Sequence, residues 1–351
     1  MKLNFKYIIL IGVIILLCII RFILPSVILK KTNAYLENFS EDYYAHVGDF
    51  DLSLWRGAYR FDQVIITLKE DTQKPFATAA SVDVSISWSQ LFQGRVLTDV
   101  VASEVNLIAD QTVSKKVKSR TKESVNDAKQ VKRALFPVEV ERIEIRNSRI
   151  EYRDMDIFAD QIEGRLSHVT ATEIHPLSLL TLKGLLLGKT PLKAVSTINM
   201  TEDPVSWVVA LEIQKLNLVE TNPFTIRYLP LTFGSGILDI YSEVKSENGY
   251  ISGYVKPFLK DGDVIGDPGD FKGLKHLGIE LSAAALNLFF RSNDKHIVAT
   301  KILFSYENGN FEWNMSEAIT QLFKNGYQEE LNPGLENRLT LTQRPATKEK
   351  K

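Results

Sequence analysis

From His46 onward, apolar and polar residues alternate with period two. Phe50, Leu52 and Leu54 alternate with Asp49, Asp51 and Ser53, and Val82, Val84, Ile86 and Trp88 alternate with Asp83, Ser85 and Ser87. The same alternation recurs over residues 138–150, 157–166, 207–213, 237–244, 279–290 and 297–304. Period two puts every second side chain on one face, so these segments predict strands apolar on one side and polar on the other. Asn248-Gly249 and Asn308-Gly309 fall between such runs, where short turns close antiparallel hairpins. Gly57, inside Trp55-Arg56-Gly57-Ala58-Tyr59, marks a tight reversal that needs a permissive backbone. No strand–helix–strand rhythm appears, which argues against a doubly wound nucleotide-binding fold. Residues 31–342 predict a mainly β body.

Four segments depart from that pattern. Residues 7–29 are interrupted only by Arg21, Pro25 and Ser26, and residues 7–20 read YIILIGVIILLCII. A spanning helix needs about 20 largely apolar residues; Arg21 can snorkel, and Phe22 to Leu24 lengthen the run. A cleaved leader would carry a small-x-small site close behind its apolar core, and the first weak candidate is Thr32-Asn33-Ala34, past Lys30-Lys31. Residues 1–30 therefore predict a cytoplasmic N-terminus and an uncleaved transmembrane anchor. Lys2, Lys6 and the amino terminus against Lys30 and Lys31 lean slightly towards that orientation. Residues 114–135 carry eight Lys or Arg and two acidic residues, a solvated basic helical insertion or an arm towards anionic headgroups. Residues 315–327 place Ile319, Leu322, Phe323 and Tyr327 at helical spacing behind Asn314 and Glu317, a capping-box pattern that predicts a C-terminal amphipathic helix. Residues 343–351 read as a disordered basic tail.

Composition narrows the function. The 351 residues include 42 basic and 43 acidic side chains, a formal charge of −1 that gives no global footprint for nucleic acid. Cys18 is the single cysteine, so no disulfide framework and no cysteine metal site is written here. The five histidines, His46, His168, His175, His276 and His296, are scattered, and no G-x-S-x-G, P-loop or G-x-G-x-x-G motif appears. Gly234-Ser235-Gly236 reads as a turn ahead of a strand at Ile237. The stretch Asp261-Gly262-Asp263-Val264-Ile265-Gly266-Asp267 has a glycine where a calcium loop needs one. However, it has Ile265 at the fifth position and Lys272 at the twelfth, so an ordinary Asp/Gly turn is the reading. Neither an enzyme, a metal nor a cofactor is expected.

Five blocks carry a resemblance. HVGDFDLSLWRGAYRF (46–61), following an N-terminal apolar helix, resembles the opening block of the AsmA-like bacterial envelope proteins, in the short single-anchor branch known only as a domain of unknown function. ASVDVSISWSQLFQGRVLTDV (80–100), FPVEVERIEIRNSRIEYRD (136–154), GYVKPFLKD (253–261) and the closing region 297–332 are similar to later blocks of that family, in order, with the insertion at 114–135 as the departure. The resemblance implies an elongated, curled antiparallel β-sheet whose concave face is an apolar groove, and a body in the periplasm of a bacterium with two membranes. Larger members of the family are implicated in phospholipid transfer between those membranes. The family supplies no catalytic residues.

The candidate groove lining, taken from the apolar side of each alternating run, is Phe50, Leu52, Leu54, Val82, Val84, Ile86, Ile143, Ile145, Ile240 and Leu281. At about 4.8 Å per strand, on the order of fifteen strands gives a groove of at most about 70 Å. It would shelter phospholipid acyl chains; bridging an envelope would need another envelope protein or self-association through sheet edges. The competing expectation is a non-catalytic structural or regulatory envelope protein whose apolar face is a sealed core and whose edges or loops dock a partner. Alternation says which residues share a face, not whether that face is filled.

Overall fold

The computed structural model describes residues 5–38, 40, 42–53, 56–113, 138–169, 177–202, 204–228, 232–265, 297–307, 310–313 and 331–341. The expectations for the basic insertion, the strand at 279–290, the helix at 315–327, the Asn308-Gly309 turn and the tail, and the candidates Leu54 and Leu281, lie outside the described residues. Among the described residues the chain is mainly β, with fifteen strands. It divides into two compact units, Met1–Asp154 and Met155–Lys351.

The first unit opens with α1 (Phe5–Asn38), a single 34-residue helix containing Pro25. Among the described residues no helix is long and apolar enough to cross a membrane; most side chains of residues 5–20 lie outside that set. The sheet follows, with β1 (Tyr43–Ser53), β2 (Ala58–Leu68), β3 (Asp71–Ile86), the one-turn helix α2 (Trp88–Leu91), β4 (Val96–Ser103), β5 (Asn106–Ala109) and β6 (Val138–Tyr152). Its order is β1-β2-β3-β4-β6, with β5 in line behind β4 and bonded to β3 and β6. The strands β1 to β4 pair antiparallel, but β4 and β5 both run parallel to β6. The expected antiparallel pairing thus holds among the described strands except here, where two strands run parallel to β6. A parallel neighbour needs a crossover of a dozen or more residues, and the 28 residues from 110 to 137 supply it.

The outer edge of β1 is not left open at its centre. The Asn33 carboxamide of α1 donates to the Val47 carbonyl at 2.9 Å and accepts from the Val47 N–H at 2.9 Å, as a neighbouring strand would. Farther along, Arg21 pairs with Asp51 at 2.9 Å. A helix laid on an edge strand blocks its unpaired backbone from recruiting another chain.

The second unit holds β7 (Ile157–Ser167), β8 (Ser178–Leu186), β9 (Thr190–Asn199), β10 (Ser206–Asn217), the helix α3 (Asn222–Tyr228), β11 (Thr232–Glu247), β12 (Tyr250–Ile265), β13 (Ile297–Ala299), β14 (Ile302–Glu307) and β15 (Asn310–Trp313). From β7 to β12 the strands neighbour one another in chain order; β12 then pairs with β13 and β14, and β14 with β15. Asn248 and Gly249, with φ of 54° and 79°, form the two-residue turn between β11 and β12, as their sequence predicts. The strands β8 and β9 were absent from the sequence expectations, although Leu180 and Leu182 against Lys183 carried the period. Two loop expectations are corrected. Gly234-Ser235-Gly236 is no turn ahead of a strand but an irregular stretch inside β11, with register shifts on both sides of Ser235. Asp261 to Ile265 continue β12 rather than forming an Asp/Gly turn, because β11 supplies a partner through Thr232.

Strict alternation is broken at defined points. Gln63, Glu104 and Asn147 in the first unit, and Gln161, Lys215 and Asp261 in the second, sit at positive φ within or beside strands. On β1 the buried positions change from odd (Ala45, Val47) to even (Phe50) beside Gly48, whose absent Cβ leaves room for the Gln63 side chain. These bulge-like residues are held by side chains. The Ser148 hydroxyl, on a residue 2% exposed, accepts from the Val105 N–H at 3.1 Å, and Asp239 accepts from the Lys215 N–H at 2.7 Å.

The corner at Gly57 has φ of +62°, and a Cβ there would lie 2.6 Å from Trp88 Nε1 and 2.9 Å from the Ile86 carbonyl oxygen. Gly57→Val should lower stability by about 1–3 kcal/mol, read as a fall in melting temperature; an unchanged melting temperature would mean that the turn relaxes freely.

Candidate functional site

Directly paired residues share a sheet face, so register assembles the candidate lining into rows. One row runs Phe50, Phe61, Val82, Ala102, Ile145 across β1, β2, β3, β4 and β6. The next runs Leu52, Tyr59, Val84, Val100, Ile143. Ile86 continues the face in a shorter row with Thr98 and Val140. Seven of the ten sequence candidates therefore meet on one face of the first unit. Phe50 is 5% exposed, while Leu52, Val82, Val84, Ile86, Ile143 and Ile145 are half-buried. An aromatic cluster sits at the β1 side, with Phe50 5.1 Å from Phe61 and Tyr59 edge-on to Phe61 at 5.5 Å. Burial pushes the Tyr59 phenol above its ordinary value, so it stays neutral there.

The opposite face is charged. Asp51, Arg60, Asp83, Val101 and Glu144 form one row, and Arg142 bonds Asp99 at 2.7 Å beside the Arg146–Glu144 pair at 2.6 Å. Such partly exposed pairs add little stability each. Their effect is orientation, since they leave the aliphatic face as the one that excludes water.

Sequence reasoning missed Tyr59, Phe61, Val100 and Ala102. The signal was present, because Tyr59 and Phe61 alternate with Arg60 and Asp62, but their strand partners were not known. Ile240 belongs to the second unit, in a row with Leu192, Ile213 and Pro257, and it too is half-buried.

In the second unit the face opposite Ile240 is the more deeply buried, against the expectation of a solvated polar side. There lie Tyr241, Glu243, Tyr254, Lys256 and Phe258, each at most 7% exposed. The segment 331–341 covers part of it, and the GYVKP block is where it binds. The Tyr254 hydroxyl donates to Glu243 at 2.6 Å and accepts from the Glu336 N–H at 2.9 Å. Lys256 reaches the Asn332 carbonyl at 3.4 Å, and Lys301 pairs with the Glu336 carboxylate at 2.8 Å while lying 4.7 Å over the Tyr254 ring. Gly253 is required because a Cβ would strike the Glu243 carbonyl oxygen.

Charge balances within this clamp. Burial, followed by the hydrogen bond to Glu243, pushes the Tyr254 phenol well up, so it remains a neutral donor. Burial lowers Lys256, with Glu336 opposing the fall. Burial alone would raise Glu336, but the hydrogen bond and charge of Lys301, with Lys256 behind, carry it below its ordinary value. Among the described residues no group of three or more His, Cys, Asp and Glu side chains is placed to hold a metal ion.

A carboxyl depressed in the folded state stabilises above its ordinary value of 4.5 and loses that contribution as pH falls through the folded value. Glu336→Gln leaves Lys256 and Lys301 without their shared anion. The variant should lose about 2–3 kcal/mol near pH 7 and show a flatter decline of melting temperature on acidification. Parallel wild-type and variant acid melts would refute the clamp's electrostatic role.

No protein-family model matches the sequence, and no curated protein matches it.

Proposed function

We propose that this protein is an AsmA-like envelope protein, held in a bacterial inner membrane by residues 7–29 with its body in the periplasm. Its β-sheet forms an elongated, curled groove for phospholipid acyl chains and assists their transfer or envelope homeostasis. The reading joins three supports: the apolar N-terminal run, the five AsmA-like blocks, and the rows of apolar side chains on the first unit's sheet. The observation that carries it is the meeting of Phe50, Leu52, Val82, Val84, Ile86, Ile143 and Ile145 on one face, most of them half-buried, with a charged face behind them. A packed core would bury such residues almost completely.

One observation favours a second reading, a structural envelope protein with a sealed core that docks a partner. Phe50 is 5% exposed and packs within an aromatic cluster. The two readings diverge on a charge placed midway along the face. In an open groove, Ile86→Asp meets water, costs about 1 kcal/mol or less, and expels acyl chains. In a sealed core it buries an unpaired charge and costs several kcal/mol. Melting temperature and the phospholipid retained on purification are measured together. A folded variant stripped of lipid supports the groove; an unfolded variant, from a wild type without lipid, overturns it.

A further inference from the structure

Two contacts fix the direction of α1 against the first unit's sheet. Asn33 is bonded to Val47 and Arg21 to Asp51, so chain number falls along α1 as it rises along β1. The contacts are about 18 Å apart along the helix and about 13 Å apart along the strand, a fair match for a helix laid antiparallel to an edge. Beyond Arg21 the helix runs on for about 24 Å, and this is its apolar part. It therefore projects past the end of the sheet where β1 stops, at Ser53.

That same end carries the most exposed aromatic among the unit's described residues. Ser53, Ala58 and Ser85 are paired at the last row, the Ile86 N–H bonds the Gly57 carbonyl, and Trp88 lies against Gly57. The chain then turns through α2 and Gly94, at φ of +79°, before returning along β4. On this turn Phe92 is 85% exposed, Trp88 42% and Leu91 37%, with the two rings stacked at 6.3 Å. Arg56 and Arg95 are exposed beside them, and Arg95 is tied to Glu139 at 2.5 Å. Three large apolar side chains presented together at a tip, with guanidinium groups behind, are unsuited to water. They suit the interface of a bilayer, where aromatic rings and arginines settle at headgroup depth.

We propose that the turn Trp88–Arg95 is a lipid-insertion tip, entering the surface of the bilayer that α1 spans and standing the first unit's sheet end-on to the membrane. This rests on the anchor reading of α1. Arg21, level with Asp51, would then mark the headgroup plane, and the tip, which starts at Trp88 five residues after Asp83 in the Asp51 row, would reach about 10–15 Å beyond it. The lipid would meet the sheet at the end where the rows of Leu52 and Ile86 begin.

The test uses the full chain with its lone cysteine replaced, Cys18→Ser, in vesicles of phosphatidylethanolamine and phosphatidylglycerol. A polarity-sensitive fluorophore is placed at Phe92→Cys, at Gly12→Cys in α1, where an added side chain meets no atom within 4 Å, or at Lys69→Cys, in the turn at the sheet's opposite end. Lipids brominated along their acyl chains serve as quenchers, and circular dichroism confirms the β content of each labelled chain. The expected result is a blue-shifted, quenched emission at positions 12 and 92 and an unquenched, aqueous emission at 69. Quenching at 12 with an aqueous label at 92 overturns the tip and leaves the anchor standing. Quenching at 92 without quenching at 12 supports the tip and overturns the anchor. Aqueous emission at both overturns the two together, and quenching at 69 equal to that at 92 overturns the end-on orientation.

Discussion

Register is the constraint on which everything else here depends. A slip of one residue moves every side chain of a strand to the other face. The apolar rows through Phe50 and Leu52, and the ion pairs behind them, exist only while five strands stay in step. The molecule holds that step with polar groups placed on the backbone itself. Asn33 closes the β1 edge at Val47, Ser148 patches the ladder at Val105, and Asp239 fixes the kink at Lys215. Each is a single side chain satisfying a backbone group that a regular neighbour would otherwise have met.

Most of the β body was legible from period two, because one half-buried face writes itself directly into alternation. The strands at 138–152, 157–167 and 206–217 fall where Ile143, Ile157 and Trp207 placed them. What was not legible followed from pairing. Nothing in the chain announces that β4 runs beside β6, since partner choice across a crossover leaves no local mark. The left-handed residues Gln63 and Glu104 were equally silent, as neither is a glycine or an asparagine, and Asn147, which tolerates that conformation, sits in an otherwise regular strand pattern. For the same reason the candidate lining named Val82 and Ile145 but not Phe61, which completes their row.

The second unit shows how a conspicuous run of residues can serve packing. Gly253, Tyr254, Lys256 and Pro257 look like the parts of a site, yet each has a packing role. The glycine admits the β11 backbone, the tyrosine and lysine face the covering segment at Asn332 and Glu336, and the proline sits opposite Ile240 in the adjoining row. A buried tyrosine and lysine of this kind commonly suggest catalysis; here the neutral phenol and the paired charges fasten one piece of chain onto another.

That fastening has a consequence for how the chain reaches its final form. Glu336 meets Tyr254 across 82 residues of sequence. Contacts so distant form late, after the loop between them has been closed at an entropic penalty. Until residues 331–336 dock, Glu243 and Lys256 have no cover from them. With that segment undocked, a wet, charged sheet face stands where the folded protein has an interior, so protease sensitivity within β11 and β12 reads whether the segment is docked.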